Sequence, residues 1–379
     1  MTYIILMYSF LSFITHHQKQ YTMRFATFNV ENLFSRAKAL NLRTNEAITE
    51  KVKLIGQLQD ELQKDTYNKA LIFKLYQDVS HLIDVQENRG KLFTYSGTKK
   101  TGIKAKGRAD WDGEITFKRE QFSEMAREAT AKVIKTVKAD IQCLIEVENR
   151  ETVQNFYGDM LRTQSYRLEY NMSIDGFDPR GIDVALMAKY PIKNIRTHIF
   201  DRSSPNSPSR TFSRDCMEIE LELTSKKSIH VLCNHFVSKL NADSDTRRKS
   251  QATAVRDILR KNYDLKKDYV IVAGDFNDTP DSDPMSPLMN MKDMHDVLEL
   301  QFGNDMMQRW TYHYKKHEQI DYILISEALK SKFVAAGVER RGMYDIEDLT
   351  QSGEKRFPII KEYKDSASDH GAVWADFNL

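Results

Sequence analysis

Carboxylates, carboxamides and imidazoles recur in short clusters along this chain, each beside an apolar run. They are Asn29, Glu31 and Asn32; Glu146, Glu148 and Asn149; Asn234 and His235; Asp275, Asn277 and Asp278; Asp321; and Asp369 with His370. Oxygen donors of this kind suit a hard cation such as Mg²⁺ or Mn²⁺, whereas zinc would more often bring Cys or several His. Histidines with nearby acids supply groups that move protons and contact phosphate. Hydrolysis of a phosphate ester needs both functions, charge neutralisation on the phosphoryl oxygens and an oriented water. Each cluster alone also reads as ordinary structure. An Asp at a strand end is commonly a turn former or helix cap, and a lone His is usually a satisfied core residue. It is the ensemble that points to a site.

The elements that must position these residues are strands and helices in alternation. Apolar runs of strand length occupy Arg24–Val30, Ile141–Val147, Ile182–Ala188, Cys216–Leu223, Ile229–Phe236, Tyr269–Ala273, Ile320–Ile325 and Ala372–Phe377. Phe122, Met125, Ala126, Ala129, Val133, Ile134 and Val137 recur at helical spacing before the second run, and Asp245–Lys261 predicts a helix before the sixth. This order favours α/β layers, which place their sites at the carboxyl ends of strands. Alternation lets Glu146 and Glu148 share a strand face, and likewise Asp275 and Asn277. Residues 37–120 break the rhythm and read as an insertion, with helices expected at Glu46–Lys64 and Tyr67–Val85 and then a Gly-rich basic stretch. Ser203–Ser209, with two prolines, is the clearest loop.

Six blocks in order resemble the endonuclease/exonuclease/phosphatase superfamily, in a bacterial-type form. They are Thr27-Phe28-Asn29-Val30-Glu31-Asn32-Leu33, Leu144-Ile145-Glu146-Val147, Asn234-His235-Phe236, Gly274-Asp275-Phe276-Asn277-Asp278, Ile320-Asp321-Tyr322-Ile323 and Ser368-Asp369-His370. The resemblance implies a four-layered α-β-β-α sandwich of two packed mixed sheets, here with a largely helical insertion after the first strand, spanning residues 23–379. It also implies that Asn29, Glu146 and Asp369 serve a Mg²⁺ or Mn²⁺ site. Asp275 and Asn277 then activate and orient the attacking water, His370 contacts phosphate and handles a proton with Asp321 orienting it, and His235 is a second active-site histidine. Glu148 remains a rival for Glu146. Ile145 stands where the family usually has Gln, which bears on contacts beside the metal. Arg180, Arg210 and Arg214 are candidate phosphate clamps, because a guanidinium forms a bidentate fork. Arg214 matches a family position best, and Arg180 belongs to Asp178-Pro179-Arg180-Gly181.

The implied activity is a divalent-metal-dependent phosphodiester hydrolase, foremost a nuclease acting on DNA or RNA. The alternatives are a phosphatase or phosphodiesterase of small or lipid phosphoesters and, from another class, a non-catalytic binding protein on the same fold. Fifty-six Lys and Arg against 54 Asp and Glu give +2, so global charge identifies no polyanionic partner. Local charge does more: Arg89–Arg108 holds seven Lys or Arg and no acid, interleaved with Phe93 and Tyr95 and followed by Trp111. Such a stretch can follow a phosphate backbone while its aromatics stack on bases, or can be only a solvated hairpin. With 41% hydrophobic and 29% charged residues the 379-residue chain can bury a full core, and disorder or coiled coil is excluded for the whole. Cys143, Cys216 and Cys233 lack C-x₂-C spacing and favour a reducing, cytoplasmic setting. Residues 1–22 read as an extension before Met23, or as an atypical signal sequence that would make the protein secreted. The apolar run Tyr3–Ile14 is too short to span a bilayer, so no stable membrane association is expected, and the protein is expected to be a monomer.

Overall fold

Two parallel strand pairs form the centre of the structure, one in each of two six-stranded sheets. The computed structural model describes residues 22–379 apart from Phe34, 38–44, Phe122, Pro179, 203–209, 240–242 and Gln351. The expected extension before Met23 lies outside the described residues except for Thr22, and so does the expected loop Ser203–Ser209. The first sheet runs Phe333–Glu339, Ala372–Asn378, Thr22–Leu33, Ile141–Val147, Asp183–Ala188, Tyr170–Ser173. The second runs Ile192–Arg196, Met217–Thr224, Lys227–His235, Val270–Asp275, Asp321–Ser326, Met294–Asp296. All eight apolar runs are therefore strands.

Alternation sorts the side chains of these strands into layers. Met23 and Phe25, Ile141, Cys143 and Ile145, Val231 and Cys233, Ile271 and Ala273, and Ile323 and Ile325 meet between the sheets. Ala26 and Phe28 with Leu144 face outward onto the helix Glu124–Val137, whose Ala129, Val133 and Ile134 cover them. On the other side Leu232, Val270 and Val272 meet Ala252, Val255 and Leu259 of the helix Ser244–Asn262. The result is the four-layered α-β-β-α sandwich. A buried Val, Leu or Ile contributes about 1.5–3 kcal/mol over its exposed form, so the double-sided burial makes the strand ends firm mounts for whatever they carry. The three cysteines are free thiols buried in these layers.

The insertion has a core of its own. Helices Asn45–Leu62 and Lys69–Val79 pack Ile55, Leu58, Ile72 and Leu75 against Phe93, Ile103, Trp111 and Ile115. Beyond the helices it contains the pair Ile83–Arg89 with Asp112–Phe117 and the hairpin Phe93–Ser96 with Lys99–Ile103. The second helix is shorter than its expected span at both ends. Asn68 caps it, its side chain accepting from the Leu71 N–H, and the chain re-emerges as a strand at Ile83. Two strands, Ser35–Ala37 and Arg119–Gln121, pair at the insertion's base. No helix of the described residues is long and apolar enough to cross a membrane.

Candidate active site

Strand parity delivers most of the candidate residues to one place. Continuing the inter-sheet face of each central strand past the apolar core leads to Asn29, His235 and Asp275. Asp321 opens its strand on the same face and pairs in register with Asp275, which pairs in turn with His235. The loop before the last strand brings in Asp369 and His370. Together with Glu146, Asn277, Arg180 and Arg214 they line a cleft of about 550 Å³, except Asp321, which is fully buried behind His370.

Local backbone devices set the finer geometry. Gly274 has φ +136, and a Cβ there would meet the Asn234 carbonyl oxygen at 1.8 Å, so only glycine fits. Asn277 is then turned back in the left-handed region at φ +55, and its N–H donates to Asp275 Oδ1 at 2.8 Å. The two side chains thus meet through an Asx-type turn, because Asn277 lies beyond the strand whose alternation was expected to align them. Asn277 Nδ2 also donates to the Phe236 carbonyl at 3.0 Å, and Asn29 Nδ2 donates to Asp275 Oδ2 at 3.1 Å. Asn29 Oδ1 accepts the N–H of Glu31.

Glu146 and Glu148 do not share a face. Glu146 sits at φ +66, where pairing with Asp183–Ala188 shifts register, and Val147 consequently packs outward although Ile145 packs inward. This bulge turns Glu146 into the cleft, which Glu148 does not line. Ile145, at the family's Gln position, lies in the inter-sheet core.

His370 Nδ1 lies 2.8 Å from Asp321 Oδ2, a spacing that fixes the tautomer and turns Nε2 towards Asp369, 3.8 Å away. Burial alone would lower the pKa of His370, but Asp321 and Asp369 outweigh it and hold the imidazole well above its ordinary value. His235 behaves oppositely. Burial, with the positive charges of Arg214 and Arg180, keeps it well below the usual range, so it is neutral. Its Nε2 lies 3.7 Å from Glu146 Oε1 and 3.6 Å from Asp275 Oδ2. Burial and the neighbouring Asp321 charge push Asp275 up to about 7, and burial also raises Glu146.

Asp178 is a site residue that the sequence alone did not single out. It holds Arg214 Nη1 at 2.7 Å and Arg180 Nε at 3.1 Å, and Arg180 Nη1 stands 3.7 Å from Glu146. Its place in the quoted Asp178-Pro179-Arg180-Gly181 block was the available signal; the pairing with Arg214 is not local in sequence. Arg210 is instead at the surface, over the Phe177 ring. Tyr312, whose ring is 5.0 Å from that of His370, and Thr49, Val52, Gly56 and Gln59 of the insertion helix also line the cleft. The basic stretch does not line it. Trp111 and Phe93 are 1% and 2% exposed and so cannot stack on bases, contrary to expectation, because they close the insertion's own core. Lys100 lies over Phe93 and Tyr76, donating to the Tyr76 hydroxyl.

The donor chemistry fits a hard cation. Glu146, Asp275, Asp321 and Asp369 gather acidic oxygens, and the buried Asp321 Oδ1 has no hydrogen-bond partner among the described residues. Asp275, Asp321 and His370 bring donor atoms within 4.8 Å of one another, a group that can hold a metal ion.

No curated protein matches the chain in sequence. Similar solved structures include D. rerio TDP2 humanised by 14 mutations, at 16% identity over 67% of this chain and 92% of that chain, TM-score 0.47. Another is an endonuclease/exonuclease/phosphatase from Bacteroides vulgatus, at 14% identity over 68% and 91%, TM-score 0.46. Staphylococcus aureus beta toxin matches at 18% identity over 66% and 92%, TM-score 0.46. These likenesses are too distant to inform substrate. The sequence model of the Endonuclease/Exonuclease/phosphatase family, however, matches residues 122–370, which contain five of the six blocks that meet in the cleft. With that match over most of its length, the chain belongs to the Endonuclease/Exonuclease/phosphatase family, a superfamily of metal-dependent phosphoesterases.

Proposed function

We propose that the protein is a phosphodiester hydrolase dependent on Mg²⁺ or Mn²⁺, acting on DNA or RNA by in-line attack of water. The observation that carries this reading is the convergence of the Asp321–His370 pair, the Asp275–Asn277 turn and the Asn29–Glu146 strand ends in one cleft. Asp275 accepts the proton of the attacking water, and Asn277, anchored on the Phe236 carbonyl, orients it. His370, held by Asp321, presents a charged N–H to a phosphoryl oxygen and can give its proton to the leaving oxygen. His235 adds a neutral hydrogen-bonding group. Arg214 and Arg180, splinted by Asp178, bring positive charge to the same phosphate. Asn29, Glu146 and Asp369 would hold the cation, which supplies charge neutralisation on the phosphoryl oxygens.

A second reading, hydrolysis of a small phosphoester, is favoured by the wall that Thr49, Val52, Gly56 and Gln59 raise beside the site. The test is incubation of the protein, with Mg²⁺ or Mn²⁺ and with EDTA, against plasmid, single-stranded DNA, RNA and a panel of phosphomonoesters. Cation-dependent cleavage of a nucleic acid is expected. Turnover of phosphomonoesters alone would select the second reading, and no turnover of any substrate would overturn both.

A further inference from the structure

Two large aromatic rings stand exposed where the cleft opens. Phe177, a cleft-lining residue, is 47% exposed and Phe200 is 66% exposed, with centroids 5.9 Å apart at 66°. The Arg210 guanidinium lies 3.6 Å from the Phe177 centroid and 5.7 Å from that of Phe200. We propose that Phe177, Phe200 and Arg210 form a stacking platform for the nucleobase next to the scissile phosphate. The inference rests on the nucleic-acid reading above and assigns it a subsite.

Position and rigidity support this. Phe177 adjoins Asp178, the acid that splints both cleft arginines, so a ligand on its ring is one nucleotide's reach from a phosphate at Arg180 and Arg214. The backbone beneath the ring is pinned. The Phe177 N–H donates to the Ser213 carbonyl at 2.7 Å, the Gly176 N–H donates to Asp183 Oδ1 at 2.6 Å, and a Cβ on Gly176 would meet the Ser213 oxygen at 2.6 Å. With its backbone pinned and the Arg210 guanidinium packed on its face, the ring costs less entropy to fix when a ligand arrives. The chemistry is that of a flat, weakly polar, phosphate-bearing ligand: bases stack on aromatic rings and on guanidinium planes, and every base has such a face. A lipid chain would call for a wider aliphatic patch, whereas this rim presents two rings and a cation.

The test measures binding of a fluorescein-labelled single-stranded DNA in EDTA, beside the same strand made abasic throughout. Wild type is expected to bind the base-bearing strand more tightly. Phe177→Ala and Phe200→Ala should each weaken that strand on the order of 5- to 100-fold and leave the abasic strand unchanged. Arg210→Lys, which keeps the charge and loses the plane, should weaken the base-bearing strand selectively. Both aromatic variants binding both strands like wild type, or losing both equally, would overturn the platform. Its failure is separable from that of the catalytic reading. Cation-dependent phosphodiester cleavage with no base-dependent binding sinks the platform alone, and base-dependent binding without any hydrolysis sinks the catalytic reading alone.

Discussion

Glu146 reaches the cleft because its strand abandons alternation at that residue, and the different placement of two nearby glutamates follows from one positive φ. Calorimetric titration with Mn²⁺ should therefore show Glu146→Ala losing most of its affinity and Glu148→Ala close to wild type; equal losses would contradict the assignment. Asp275 is pushed up to about 7 by burial and the Asp321 charge, so as pH falls below that value it gains a proton and can no longer accept one from water. Activity should fall on the acid side with a limb at or below about 7, a bound cation lowering it further, and Asp275→Asn should cut turnover by about 10²–10⁴-fold. Near-normal turnover by a folded Asp275→Asn variant would exclude Asp275 as the base. Asp178 is a structural counterpart. Burial would raise its pKa, but Arg180 and Arg214 override burial and hold the carboxyl below its ordinary range. The stability it contributes is present above the unfolded value near 4 and is lost as pH falls through the folded value. Asp178→Ala should cost about 3–5 kcal/mol at pH 7 by stranding two buried cations, a difference from wild type that shrinks in acid. Thermal melts at both pH values check this, and an unchanged melting temperature at pH 7 would refute it.

At the scale of elements, the insertion is a folded attachment with its own core, yet its first helix walls the cleft. Replacing residues 38–118 by a short Gly-Ser linker should leave the sandwich folded, raise KM and spare kcat; loss of cooperative unfolding would show instead that the sheets depend on it. The eight strands were legible because each is an apolar run buried on both faces or strictly alternating. Tyr170–Ser173, Ile192–Arg196, Met294–Asp296 and Phe333–Glu339 were not, being edge strands, short or broken by partly exposed residues. Two of the three aromatics in and after the basic stretch misled for a related reason: Phe93 and Trp111 look like stacking residues until the helices that bury them are in place, whereas Tyr95 is exposed. The Asx turn at Asn277 and the bulge at Glu146 left little mark in the sequence, because both depend on backbone angles that alternation does not encode.

The whole molecule sets a parallel pair in each sheet so that the carboxyl ends of both converge at one edge of the inter-sheet core. Residues separated by up to 341 positions, Asn29 and His370, share a cleft for that reason. The apolar runs and ordered blocks made that convergence readable from sequence. The Asp178 splint, the helix wall and the rim aromatics required the folded chain, since each joins segments with no shared pattern. In the proposed function this cleft hydrolyses phosphoesters through the His370–Asp321 pair. Its most direct test is the rate of phosphodiester cleavage by wild type and His370→Ala, each with Mg²⁺ or Mn²⁺ and with EDTA, after circular dichroism has shown both to be folded. Cation-dependent cleavage by wild type and a loss of at least about 10²-fold in the variant are expected. Near-normal cleavage by folded His370→Ala, or wild-type cleavage undiminished by EDTA, would contradict it.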